Sequence, residues 1–105
     1  MYQNYLDSNL LMFYCCNSLI NLDLNSFNTT SLTNMYGMFN YCFKLQTQIN
    51  IMNPNVTNYI DMFLYAATDS NAKIIVNYTA ETETLVDNML LTKSSNSNIV
   101  KGIQI

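Results

Sequence analysis

The sequence predicts an α/β repeat fold, a solenoid of about four helix–strand units with a short parallel sheet on one face and helices on the other. Two independent series predict it. A Met-Phe dipeptide recurs at near-regular intervals, at 12–13, 38–39 and 62–63, and Met-Leu at 89–90 is a weaker fourth copy. Apolar–x–apolar triplets recur in phase with it, at 22–24, 49–51, 74–76 and 103–105. We therefore expect one repeat domain, 1–105.

The units of this domain are expected to lie near 1–25, 26–52, 53–78 and 79–105, the last part acting as a C-terminal cap. The helical half of each unit is predicted from apolar residues at i, i+3 and i+7 spacing behind a capping residue. In the third unit, for example, Asn53 is the predicted N-cap and Pro54 the first helical residue. The predicted helices lie near 4–13, 29–39, 53–63 and 79–93.

The strand half of each unit is predicted from the apolar triplets. Side chains alternate across a strand, so the two apolar residues of each triplet are expected to point into the core. The residues between and beside them should point outward and form one contiguous patch on the sheet. We take this patch as the candidate partner-binding surface: Asn21, Asp23, Gln48, Asn50, Lys73, Ile75 and Asn77.

Composition excludes several classes of function. Four basic residues are scattered along a chain of net charge −3, whereas nucleic-acid binding needs clustered cations. The chain has no histidine, which removes Ser–His–Asp and Cys–His catalysis and the commonest zinc ligand. Its longest apolar run, "LLMFYCC", is too short to cross a bilayer, so no direct membrane insertion is expected. We expect no enzyme activity, no metal and no cofactor.

The cysteines are predicted to be structural. Cys16 and Cys42 occupy the same position in successive repeats, and Ala66 follows them in the third unit. A position filled by Cys, Cys and Ala suits a small apolar side chain in a core column. A Cys16–Cys42 disulfide between adjacent units stays open as the alternative. Cys15 belongs to another column, occupied by tyrosines in the later units, which indicates a more exposed thiol.

Five tyrosines are expected near the ends of the predicted helices: Tyr14, Tyr36, Tyr41, Tyr59 and Tyr65. One interpretation is that most are half-buried wall residues. The other is a surface rich in tyrosine and asparagine that stacks on a glycan or contacts a protein.

The stretch 12–39, "MFYCCNSLINLDLNSFNTTSLTNMYGMF", resembles the BspA-like leucine-rich repeat. The matching positions are Met12, Phe13, Cys16, Leu19, Leu22, Leu24, Phe27, Thr29, Leu32 in place of valine, Met35, Met38 and Phe39. The match is close over 12–63 and weaker afterwards. The resemblance implies a leucine-rich-repeat-like fold in bacterial or protist surface proteins implicated in adhesion, with related repeats in mycoplasma lipoproteins and phage-associated proteins.

The sequence and the resemblance together predict a non-enzymatic recognition or adhesion module of a cell-surface or phage-associated protein. Its partner would be a protein or glycan on a host or neighbouring surface. The alternative is a structural spacer, capping or self-assembly domain, forming a homodimer through the terminal edge strand. The start, "MYQNYLDSN", does not have the pattern of a signal peptide. We expect an extracellular or cell-surface location as part of a larger protein, with a cytoplasmic location left open.

Overall fold

The computed structural model describes residues 13–105, and the regular secondary structure of this part begins at residue 46. The elements are three strands and one helix in the order β1 (Gln46–Ile51), β2 (Lys73–Tyr78), α1 (Glu83–Leu90) and β3 (Ile99–Gln104). The predicted four-unit helix–strand solenoid is therefore wrong. The described residues form a small compact domain with a three-stranded parallel sheet and a single α-helix.

The sheet has the order β1-β2-β3, and both neighbouring pairs are parallel. β1 and β2 lie where the triplets 49–51 and 74–76 predict strands, with Ile49 in register with Val76 and the apolar side chains buried on the inner face. The triplet 22–24 forms no strand, and its segment joins the sheet through a single bridge between Asn21 and Gln46.

The third strand overturns the prediction for the triplet 103–105. β3 pairs with β2 through Ile74 and Ile99, and Ile99 is the residue of β3 that enters the core. Ile103 and Ile105 are instead 69% and 48% exposed. The inward position that follows Ile99 is taken by a lysine, Lys101, which the apolar pattern could not indicate.

The helices predicted near 29–39 and 53–63 are absent, because the backbone there bonds between repeats rather than along one helix. The N–H groups of Met35, Gly37 and Phe39 each donate to a carbonyl oxygen in the next repeat, at 2.7–2.9 Å. An α-helix would direct the same N–H groups to carbonyls four residues back. We call this set of bonds the inter-repeat ladder.

Turn chemistry interrupts the helical pattern as well. The predicted N-cap Asn53 accepts a hydrogen bond from the N–H of Asn55, at 2.9 Å, and Asn34 accepts one from Tyr36, at 3.0 Å. Such asparagine turns compete with helix formation. Gly37 has a φ of 63°, which an α-helix does not accommodate.

The helix predicted near 79–93 exists but is shorter. It begins after Thr82 rather than Thr79, and only Glu83 lies in its first turn. Thr82 is buried and its hydroxyl donates to the carbonyl of Ile51 at 2.7 Å, which ties the start of α1 to the end of β1. Lys93 lies beyond the helix, and its Nζ donates to the Ile99 carbonyl at 2.9 Å. The helix predicted near 4–13 falls outside the described residues.

The core consists of columns of like residues from successive repeats. The rings of Phe13 and Phe39 are stacked with centroids 5.6 Å apart, and those of Phe39 and Phe63 with centroids 6.2 Å apart. Leucines and methionines around them, including Leu32 and Met35, are fully buried. The apolar positions of the repeat therefore form the core although the backbone that carries them is not helical.

Candidate functional site

The outward face of the sheet carries a cluster of side-chain amides. Gln48 and Asn50 of β1 are in register with Ile75 and Asn77 of β2. Asn77 is 5% exposed, and its Nδ2 donates to Oε1 of Gln48 at 3.0 Å and to Oδ1 of Asn50 at 2.9 Å. Its own Oδ1 accepts the backbone N–H of Ile103 at 3.0 Å. We call Gln48, Asn50 and Asn77 the amide cluster.

The amide cluster fixes the orientation of its two outer members. Because Asn77 donates to the oxygens of Gln48 and Asn50, the NH₂ groups of those two residues remain as donors, and neither has a partner within residues 13–105. Gln48 is exposed and Asn50 half-buried. The face therefore presents two oriented hydrogen-bond donors before any ligand binds, which reduces the ordering cost of binding.

Gly102 of β3 allows this arrangement. A Cβ atom built on Gly102 would overlap Oδ1 of Asn77 and lie 2.6 Å from Cγ2 of Ile75. The register between β2 and β3 also shifts between Val76 and Tyr78, at the level of Asn77. The close approach of β3 at this glycine is what lets the Ile103 N–H reach the Asn77 side chain.

A shallow groove of about 230 Å³ adjoins the amide cluster on the same face. Asp23 and Asn25 line one side and Gln48 and Ile75 the other. The Asp23 carboxylate accepts the N–H of Asn25 at 2.9 Å, which orients it at the rim. The groove is thus a mixed surface with a carboxylate, amides and an aliphatic side chain.

All seven residues of the predicted patch lie on or beside this sheet. Asp23, Gln48 and Ile75 line the groove, and Asn50 and Asn77 belong to the amide cluster. Asn21 and Lys73 lie at the start of the strands, where each is paired with Gln46. Whether the patch binds a partner stays a prediction.

Two outward residues were not predicted. Gln46 is exposed at the start of β1, ahead of the apolar triplet that predicts this strand. Val100 is paired with Ile75 and is 40% exposed. Its place on the face follows from the actual register of β3, which the apolar triplet 103–105 obscured.

The three cysteines differ in environment and are free thiols. Cys42 is fully buried, and its Sγ donates to the Phe13 carbonyl at 3.0 Å. Burial raises the pKa of this thiol to about 12, so it stays protonated at neutral pH. Ala66 is also fully buried, whereas Cys16 is half-buried against the core and Cys15 is exposed. This gradient fits a structural column better than a reactive pair.

Lys101 fastens α1 to the sheet. Its Nζ lies 2.7 Å from Oε2 of Glu83 and 2.9 Å from Oδ1 of Asp87, and 4.9 Å from the centre of the Tyr78 ring. Hydrogen bonds to Glu83 and then to Asp87 raise the pKa of Lys101 above its ordinary value. The Lys101 charge is held by two carboxylates of α1, so the group joins the helix to the sheet.

Metal-binding and membrane-spanning features can be stated for residues 13–105. This part of the chain has no group of three or more histidine, cysteine, aspartate or glutamate side chains placed to hold a metal ion. It also has no helix with the length and apolar character that crossing a membrane requires.

The fold and this surface define a small α/β domain built from sequence repeats, with a polar face on a parallel sheet. The chain matches the family described as "Mycoplasma protein of unknown function, DUF285" over residues 8–101, and it belongs to that family. Comparison with curated proteins and with solved structures finds no match. The resemblance inferred from 12–39 is thereby confirmed only in its coarser form, as a mycoplasma-type repeat family.

Proposed function

We propose that the chain is a non-enzymatic recognition module of a cell-surface protein, related to the BspA-like repeat, and that it binds a protein partner through the outward face of its sheet. The observation that carries the proposal is the amide cluster. Asn77 is buried. Its side-chain NH₂ group donates to Gln48 and Asn50, and its side-chain oxygen accepts the N–H of Ile103, so all three are held in place. Such preorganised polar groups give an interface its specificity.

The character of the face favours a protein over a glycan as its ligand. It combines amides with the carboxylate of Asp23, the cation of Lys73 and the aliphatic side chains of Ile75 and Val100. Protein interfaces mix polar rims with apolar centres in this way. Tyr78 is the single aromatic residue of the three strands, and its ring lies beside Lys101 on the α1 side, so the outward face offers no ring for stacking on a sugar.

The test uses the labelled chain on cultured epithelial cells. We expect saturable binding that is lost when the cells are treated with protease and that weakens about tenfold in a Gln48→Ala/Asn50→Ala variant. The matched control is Asn88→Ala, which removes an exposed amide of α1. Binding that is insensitive to the first variant, or equally sensitive to the control, would refute the proposed surface.

A second candidate function is self-assembly, and the edge of the sheet favours it. β3 is the last strand of the sheet order, and Val100, Ile103 and Ile105 are 40–69% exposed. Unpaired strand edges with apolar side chains recruit further strands. Lys101 faces α1 and does not guard this edge, although the Nζ of Lys93 covers the Ile99 carbonyl at one end of it.

Light scattering during gel filtration separates the two candidates. Self-assembly predicts a dimer at micromolar concentration that an Ile103→Lys substitution converts to a monomer of 12.1 kDa. A monomer at all concentrations up to millimolar would rule out self-assembly and leave the sheet face free for a partner. A dimer that buries Gln48 and Asn50, seen as loss of their amide exchange with solvent, would rule out the recognition function proposed above.

A further inference from the structure

Four tyrosines lie in the turns of successive repeats, and two of them are in ring contact. We call Tyr14, Tyr36, Tyr41 and Tyr65 the tyrosine ridge. The rings of Tyr41 and Tyr65 have centroids 5.3 Å apart. Tyr14, Tyr36 and Tyr65 are 47%, 37% and 44% exposed, and Tyr41 is half-buried between its neighbours. The pKa of Tyr14 is raised, chiefly by a hydrogen bond with Cys15.

The inter-repeat ladder explains why Tyr41 and Tyr65 align. The N–H of Tyr41 donates to the carbonyl of Leu64 at 2.9 Å, which sets Tyr41 beside Tyr65. One repeat earlier, the N–H of Cys15 donates to the carbonyl of Asn40 at 2.8 Å, so Cys15 takes the corresponding place and Tyr14 immediately precedes it. The contact between Tyr41 and Tyr65 is therefore built into the stacking of the repeats.

The backbone at the ridge is strained in a repeated way. Cys15, Tyr41 and Tyr65 occupy the same repeat position and have φ values of 58°, 63° and 56°. This left-handed conformation costs about 1–2 kcal/mol for a residue other than glycine, and bulky residues seldom adopt it. Burial of the ring does not offset that cost at Tyr65, which is 44% exposed. Backbone strain that is retained at a residue with an exposed side chain indicates a functional role for that side chain.

We infer that the tyrosine ridge is a second binding surface and that its ligand is a neutral oligosaccharide. Tyrosine rings offer an apolar face and a hydroxyl at the edge. A sugar ring complements both, because it presents C–H groups on its face and hydroxyls around its edge. Tyrosine contributes no cation, and the whole chain has only four basic residues, so an anionic polymer would find no counter-charge here.

The area of the ridge favours a small ligand over a protein. With about 200 Å² for a whole tyrosine, the exposed fractions of Tyr14, Tyr36 and Tyr65 leave roughly 250 Å² open. A stable protein–protein interface needs about 800 Å² from each partner. The contacting rings of Tyr41 and Tyr65, with Tyr14 and Tyr36 exposed in turns of the same part of the chain, instead suit a short oligosaccharide.

The experiment follows the tyrosines directly, because the chain has eight tyrosines and no tryptophan. The probes are the soluble tetrasaccharides of glucose and of N-acetylglucosamine, titrated while tyrosine fluorescence and ring NMR signals are recorded. We expect saturable shifts at the ridge with at least one probe. They should disappear in a Tyr41→Gly/Tyr65→Gly variant, which glycine should keep folded since it accepts the positive φ at both sites.

Two controls make the outcome specific. A Tyr41→Phe/Tyr65→Phe variant keeps the rings and should retain most of the binding, whereas Gln48→Ala/Asn50→Ala should leave it unchanged and so separates the ridge from the sheet face. Absence of any shift with both tetrasaccharides, or shifts that persist in the double-glycine variant, would overturn the inference. Protease-sensitive cell binding that is lost in the double-glycine variant, without a response to either sugar, would make the ridge a protein-docking surface and would overturn the ligand class.

Discussion

Replacing Gly102 by alanine tests the account of the sheet face most directly. Gly102 does not have a positive φ, so its backbone conformation is open to alanine. On entropy alone Gly102→Ala should stabilise the protein by about 0.4–1 kcal/mol, because alanine restricts the unfolded chain. The structure predicts the opposite sign, since the new Cβ would overlap Oδ1 of Asn77 and approach Cγ2 of Ile75 to 2.6 Å.

The magnitude follows from what must move. Overpacking of this kind costs about 1–3 kcal/mol. If Asn77 rotates away, its bonds to Gln48, Asn50 and the Ile103 N–H are also lost, at about 0.5–1.5 kcal/mol each. After the entropic gain is subtracted, we expect a net destabilisation of about 3 kcal/mol, and a Tm lower by roughly 15 °C for a chain of this size.

Urea unfolding followed by circular dichroism measures this free energy. A double-mutant cycle with Asn77→Ala gives the control, because the cost of Gly102→Ala should fall by about 1 kcal/mol or more when Asn77 no longer carries an amide. The contact with Ile75 keeps part of the cost in both backgrounds. A stabilising effect of Gly102→Ala, or an identical cost with and without the Asn77 amide, would refute the reasoning.

Four further predictions concern the core, the thiols and the helix. Phe39→Ala should cost about 3–5 kcal/mol in urea unfolding, because the buried Phe39 ring is stacked on both sides. The pKa of Cys42 is raised to about 12 in the folded protein, above its ordinary value of 9.0, so stability should fall as pH rises through that window, and the fall should be smaller in Cys42→Ala. Iodoacetamide at pH 8 should modify Cys15 and spare Cys42 until the protein unfolds, as peptide mapping would reveal. Lys101→Met should lower the urea midpoint and reduce its dependence on salt, because two ion pairs to α1 are lost.

The positions of the core could be predicted from the sequence, but the backbone that carries them could not. Leu32, Met35 and Met38 are buried as their spacing indicates. Apolar spacing reports which side chains face the interior, and several backbone conformations satisfy it. Hydrogen bonds to carbonyls of the next repeat favour turns over a helix here. The residues that provide these carbonyls lie more than 20 positions further along the chain, so a local sequence pattern does not indicate them.

The outward face of the sheet could be predicted only in part. Alternation along β1 and β2 correctly places Gln48, Asn50 and Ile75 on the outward side. The register of β3 was missed because its inward position holds Lys101, whose charge is compensated by two carboxylates of α1. A lysine at an inward position breaks the apolar pattern of a strand, even when carboxylates pair with it. The sequence pattern therefore favoured the apolar triplet 103–105 as the inward-facing part of the strand.

The inter-repeat ladder has a consequence for how the chain folds. Because the amides of Met35, Gly37 and Phe39 find their acceptors only in the next repeat, the local turns of this segment gain these bonds only when that repeat docks. The contact order of this half is set by the repeat length, and a fragment that contains one repeat should be a random coil. Deuterium exchange should show that the amides of Met35, Gly37, Phe39 and Tyr41 open together when the next repeat detaches, as one cooperative unit.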